Sequence, residues 1–335
     1  MEVPGRSCPV AYQYQPEALA QPARLEADTL YVVGGLYGNS GALQALLERA
    51  DREPGGPPTI VFNGDVHWLD VDPDDFQAIS ETVLAHHAIK GNVEAELASD
   101  EDVGCGCAYP DYISDDVVDC SNRIMTRLRA TAARFPELVG RLGELPCYLT
   151  ASMGGQRIGI LHGDPQSLAG WRLALEAMEP GDPLVRGQVD WRGQPTTTAD
   201  LLDWFHRAEV SVFACTHTGL PYAQDLTDHQ GRRWLVINNG CAGLGNFAGT
   251  SFGVITRLST SPQPPADCLY GITLDGLRCD ALPLEFDPAW WIARFTAQWP
   301  PGSPAYDRYL QRIRSGTQLR LHQAVRGTVT QTTDN

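Results

Sequence analysis

The chain reads as an α/β protein in which two sheets pack together with helices outside. Apolar runs of strand length alternate with helix-patterned segments in the first part of the 335 residues, and strand-like patterns dominate later. Five of the apolar runs end in turns rich in glycine and polar residues: Gly35-Leu36-Tyr37-Gly38-Asn39, Asn63-Gly64-Asp65, Gly91-Asn92, His162-Gly163-Asp164 and Cys215-Thr216-His217. Open α/β sheets place their ligands at such carboxyl ends of strands. With 43% hydrophobic and 20% charged residues, the composition is that of an ordinary globular chain.

Residues 1–28 are rich in Pro and Ala with little periodicity and predict an arm laid on the surface. Residues 29–35 read as the first strand, and 40–50 as a helix with Ala42, Leu43, Leu46 and Leu47 on one face. A turn-rich loop at 54–58 leads into the run Ile60-Val61-Phe62, which Gly64 turns sharply so that Asp65 sits at the strand end. Pro73-Asp74-Asp75 starts a helix to about 84, and 88–90 is a short strand. An irregular loop at 98–110 carries Cys105 and Cys107, and helices follow at 114–135 and 136–142.

Residues 147–151 and 157–161 form a hairpin turned by Met153-Gly154-Gly155. Residues 168–178 are expected to be helical, 181–198 a Pro/Gly-rich excursion, 199–206 a helix and 210–215 a fully apolar strand. Further strands are expected at 234–237, 251–258 and 268–274. After residue 286, Trp290, Trp291, Phe295 and Trp299 suggest a packed helix, with a second from about 305. The expected organisation is an arm (1–28), one domain (29–286) and a C-terminal helical extension (287–335).

The formal charge is -16, and Lys90 is the only lysine among 25 basic residues. A nucleic-acid backbone or anionic membrane would meet net repulsion, so a nucleic-acid partner is disfavoured. No apolar run is long enough to cross a membrane, and no basic-then-apolar leader opens the sequence, so a cytoplasmic location without membrane attachment is expected. Nine cysteines without a secretory signal read as reduced thiols.

The order of these strand ends resembles the calcineurin-like metallophosphoesterase family, over roughly residues 29–260. That family's pattern runs Asp-x-His, Gly-Asp, Gly-Asn-His-Asp/Glu, an isolated His, and Gly-His-x-His. Gly64-Asp65, Gly91-Asn92-Val93-Glu94, His162 in Leu161-His162-Gly163-Asp164, and Cys215-Thr216-His217 take the last four blocks. Asn239-Gly240-Cys241-Ala242-Gly243 resembles the segment that follows in the small bacterial and archaeal branch. The resemblance implies a four-layer α/β/β/α sandwich of two packed mixed sheets with flanking helices. It also implies a metal-dependent hydrolase of a phosphate mono- or diester, with a small phosphorylated substrate.

The departures redraw the site. Gly35 stands where the family has its first Asp, Tyr37 where it has the accompanying His, Val93 where it has the third-block His, and Cys215 where it has the first His of the last block. One family metal is thereby left with Asp65, His217 and, as a phenolate, Tyr37. The other keeps Asp65, Asn92, His162 and Cys215, a thiolate being a competent ligand for zinc or iron. The metal set expected overall is Asp65, Asn92, His162, Cys215 and His217 around a single divalent ion (Zn, Fe or Mn), with two ions as the alternative. Asp65 and His67 are the expected catalytic residues, His67 protonating the leaving oxygen in place of Val93. Glu94 is expected to orient a ligand or to start its helix. A fold-keeping, non-catalytic binder of ligand, metal or partner is the rival, motivated by Gly35, Tyr37 and Val93. A thiol-based metal or redox site at Cys105, Cys107 and Cys215 is the third reading.

Overall fold

The computed structural model describes residues 3–101 and 103–330. In chain order they form β1 (Leu25–Glu26), β2 (Thr29–Val33), α1 (Ser40–Ala50), β3 (Thr59–Asn63), α2 (Pro73–Leu84), β4 (His87–Ile89) and α3 (Asn92–Leu97). Next come α4 (Asp115–Ala132), α5 (Pro136–Gly143), β5 (Tyr148–Met153), β6 (Gln156–Leu161), α6 (Pro183–Gln188), α7 (Thr198–Ala208) and β7 (Val212–Cys215). The remainder is β8 (Tyr222–Thr227), β9 (Arg233–Asn238), β10 (Gly253–Ser259), β11 (Tyr270–Leu274), β12 (Leu277–Leu284), α8 (Pro288–Gln298), α9 (Pro304–Ser315) and β13 (Val325–Thr330).

The strands make two mixed sheets, ordered β1-β5-β6-β7-β9-β8-β13 and β11-β12-β10-β2-β3-β4. Parallel pairs within each sheet (β2 with β3 and β3 with β4; β6 with β7 and β7 with β9) bring strand carboxyl ends to one edge. Period-two burial shows why the strands read as continuous apolar runs. Leu30 and Val32 of β2 face the core shared with Ile158, Ile160 and Phe213 of the other sheet, while Tyr31 and Val33 face Leu43 and Leu46 of α1. α7 covers the opposite sheet with Leu201, Leu202 and Phe205. The architecture is the expected α/β/β/α sandwich.

Helix starts follow their capping residues. Asn39 accepts from Ala42 N at 3.0 Å, and Asp72 caps α2 ahead of Pro73. Thr197 and Asp200 form a reciprocal capping box on α7.

Residues 168–178, expected to be helical, instead form a buried chain of tight turns, with Ala174 N bonded to Trp171 O and Ala177 N to Ala174 O. Leu168, Ala169 and residues 173–178 are buried, and Asp164 Oδ2, accepting from Arg172 N at 3.1 Å, ties the backbone into these turns. The N-terminal segment packs into the fold through buried Tyr12 and Leu19. The C-terminal segment adds α8 and α9 over a separate cluster around Trp68, Phe76 and Leu128, and β13 then pairs with β8.

Candidate metal centre

β3 delivers Asp65 through a turn that only glycine permits at its first position. Gly64 has φ 77°, and a Cβ there would lie 2.3 Å from Gly91 N. Asp65 itself has φ 53°, a conformation a side chain rarely adopts. Glu94, on the first turn of α3, holds it there. Its carboxylate accepts from Asp65 N (2.8 Å), Val66 N (3.0 Å) and Gly91 N (2.8 Å). Asp65 Oδ1 accepts from Val93 N at 3.1 Å, which leaves Oδ2 turned toward His162.

Four side chains then present lone pairs to one point. His162 Nδ1 is 2.8 Å from Asn63 O, and a carbonyl only accepts, so Nδ1 carries the hydrogen and Nε2 faces the site. His217 Nε2 lies 3.1 Å from Cys107 O, which by the same reasoning frees Nδ1. Asn92 Nδ2 donates to Cys105 O at 2.9 Å, which aims Oδ1 inward. His162 Nε2 is 3.2 Å from Asn92 Oδ1, 3.3 Å from Asp65 Oδ2 and 3.2 Å from His217 Nδ1.

Neutral histidines would point these acceptors at one another, so the arrangement calls for a cation, either a proton or a metal. Tetrahedral zinc with bonds of about 2.0–2.1 Å separates its donors by roughly 3.3–3.4 Å. The three spacings from His162 Nε2 match, and two imidazoles, a carboxylate and an amide oxygen are a donor set that suits Zn, Fe or Mn. Without a metal, a proton takes that place. Burial opposes charging His162, but Asp65 outweighs it and raises His162 above the usual imidazole value. Burial likewise opposes ionising Asp65, and His162 outweighs it to hold the carboxyl below the usual range. His217 is pushed down to about 4 by burial and by His162.

The structure does not bring Cys215 into this group. Among the described residues, the His, Cys, Asp and Glu side chains that converge are Asp65, His162 and His217. Cys215 belongs to the inter-sheet core, where burial and Asp164 push its thiol far up. His67 is also turned away from the site, contrary to its expected catalytic role. Its Nδ1 lies 2.6 Å from Asp70 Oδ2 and its Nε2 2.9 Å from Ser80 Oγ, with the ring stacked on Phe76 in full burial. Both nitrogens are occupied, so His67 organises the loop after β3. Cys105 and Cys107 are buried free thiols; burial and Cys105 raise that of Cys107 well above its usual value.

The departures at Gly35 and Tyr37 are one change. A Cβ at Gly35 would lie 2.5 Å from the Tyr37 ring, which fills the room an Asp would need. Burial and Cys241 raise the Tyr37 phenol well above its usual value.

The donors open on a cavity of about 130 Å³ walled by Tyr37, Trp68, Tyr109, Trp171, Tyr309 and Arg312. Tyr309 and Arg312 come from α9, far along the chain. Arg312 Nε donates to Gly245 O at 3.0 Å and Nη2 to Gly219 O at 2.7 Å, so the guanidinium is held in place. No local motif marked either residue in the sequence.

No protein-family model and no curated protein matches the chain. Among solved structures, a metallophosphoesterase from Sphaerobacter thermophilus superposes with TM-score 0.52 at 16% identity, over 87% of this chain and 100% of that one. A hypothetical protein from Pyrococcus horikoshii OT3 superposes with TM-score 0.53 at 15% identity, over 88% of this chain and 100% of that one. At such identities the likeness is one of fold. The chain has the fold of these two structures, the first of them a metallophosphoesterase.

Proposed function

We propose that the protein is a metal-dependent hydrolase of small phosphate mono- or diesters with a single divalent ion held by Asp65, Asn92, His162 and His217. The observation that carries this is the convergence of four lone pairs at metal-ligand spacing. Such an ion supplies Lewis acidity toward a phosphoryl oxygen and lowers the pKa of water. The chain's own residues do the rest. Glu94 fixes the Asp65 turn, and the Asn63 and Cys107 carbonyls fix the two imidazoles. Trp68, Tyr109 and Trp171 wall the cavity, and the Tyr37 side chain lines it with them.

Metal analysis with turnover of nitrophenyl phosphate mono- and diesters tests the reading. About one ion per chain is expected, with turnover in added Mn²⁺, Zn²⁺ or Fe²⁺ and loss of both ion and turnover in Asp65→Ala. Full metal content in Asp65→Ala would overturn it. The packing of Tyr37 into the place of a second ligand set favours one other reading, a binder that keeps the ion but not the chemistry. Bound metal without turnover of either ester would select it.

A further inference from the structure

We infer that Arg312 replaces the charge of a second metal, so that the substrate's phosphoryl group is held between one ion and a guanidinium. This rests on the hydrolase reading above. An ionised Asp65 and one divalent ion leave a single positive charge for a phosphate dianion, and Arg312 supplies the second. Its position suits the role, because it lines the same cavity as Asp65, Asn92 and His217. It also lies on the Tyr37 side, where the first ligand pair has been replaced. A Cβ built on Gly219 would be 3.7 Å from Arg312 Nη1 and 3.8 Å from Tyr37 Oη, so both groups border the same spot.

The guanidinium is oriented and unspent. Carbonyls of Gly245 and Gly219 hold Nε and Nη2, and among the described residues no carboxylate pairs with it. A planar fork fixed at one edge and open at the other is the geometry by which arginine grips a phosphoryl group.

Size and charge then separate the parts of the substrate. Pockets for whole ligands run to roughly 300–1,000 Å³. The metal cavity, at about 130 Å³, admits the reacting group and little more. Arg312 also faces a groove of about 1180 Å³ that shares Arg308 and Arg320 and has no acidic residue in its lining. In a chain of net charge -16, that groove is the favoured place for the rest of an anionic ester.

Inorganic phosphate is the probe. Calorimetry on the metal-loaded protein should show binding weakened at least tenfold in Arg312→Gln, part of it restored in Arg312→Lys, with metal content unchanged. Unaltered phosphate affinity in a folded Arg312→Gln with full metal would overturn the assignment. If Arg312→Gln does not fold, crystals of the unmodified protein grown with phosphate decide. Phosphate within hydrogen-bond distance of Arg312 supports the role, and phosphate in the cavity away from it overturns it. Phosphate binding that depends on Arg312 in a protein that retains no metal would instead sink the hydrolase reading and the ion's share of the clamp, and leave only the guanidinium's.

Discussion

Gly35 and Tyr37 are coupled, because a side chain at one collides with the ring of the other. Gly35→Asp alone should therefore destabilise the fold by the few kcal/mol typical of overpacking, about 1–3. Pairing it with Tyr37→His replaces the phenol ring with a smaller imidazole and places at φ 51° a residue that tolerates the left-handed region better. A double-mutant cycle read by denaturant unfolding should show the second change recovering most of the loss. Additive losses would contradict the coupling. Away from the site, burial raises the Glu176 carboxyl, while its bond from Tyr112 Oη (3.3 Å) only partly compensates. An acid raised in the folded state adds stability below its unfolded pKa and loses it as pH rises through the folded value. Glu176→Gln should thus match the parent's thermal midpoint in acid and exceed it in mildly alkaline buffer. An unchanged difference between the two buffers would contradict this.

At the level of elements, Asn39 joins α1 to the second half of the chain. It accepts from Ala42 N at 3.0 Å and donates to Gly243 O at 2.9 Å in complete burial. Asn39→Ala removes a cap worth about 1 kcal/mol and leaves a buried carbonyl without its donor, about 1–3 kcal/mol more. Denaturant midpoints should fall accordingly; a loss below half a kcal/mol would mean the cap carries no weight. The central strands and their ends were legible in the sequence, because burial on both faces writes an apolar run and a turn writes glycine. β8 was not, since Gln224 and Asp225 interrupt its pattern and find partners only in the fold, in Glu179 O and Arg233. Cys215 and His67 showed the limit of strand-end reasoning, which locates a backbone position but not the side-chain direction. Tyr309 and Arg312 lay outside it entirely, since a wall supplied by a distant helix leaves no local pattern.

Across the whole molecule, the four proposed ligands tie the two sheets together. Asp65 follows β3 and Asn92 follows β4 in one sheet, while His162 follows β6 and His217 follows β7 in the other. An ion bound there acts only on the folded chain, because unfolding separates donors that lie as much as 152 residues apart, from Asp65 to His217. Binding at a free metal concentration a thousand times Kd contributes about 4 kcal/mol. Chelation should therefore lower the thermal midpoint by several degrees, and restoring the metal should raise it again. In Asp65→Ala the midpoint should be indifferent to chelator, which separates loss of the clamp from nonspecific effects of the reagent. A wild-type midpoint that ignores both chelator and added metal would show that a proton, shared between Asp65 and His162, fills the place assigned to the ion.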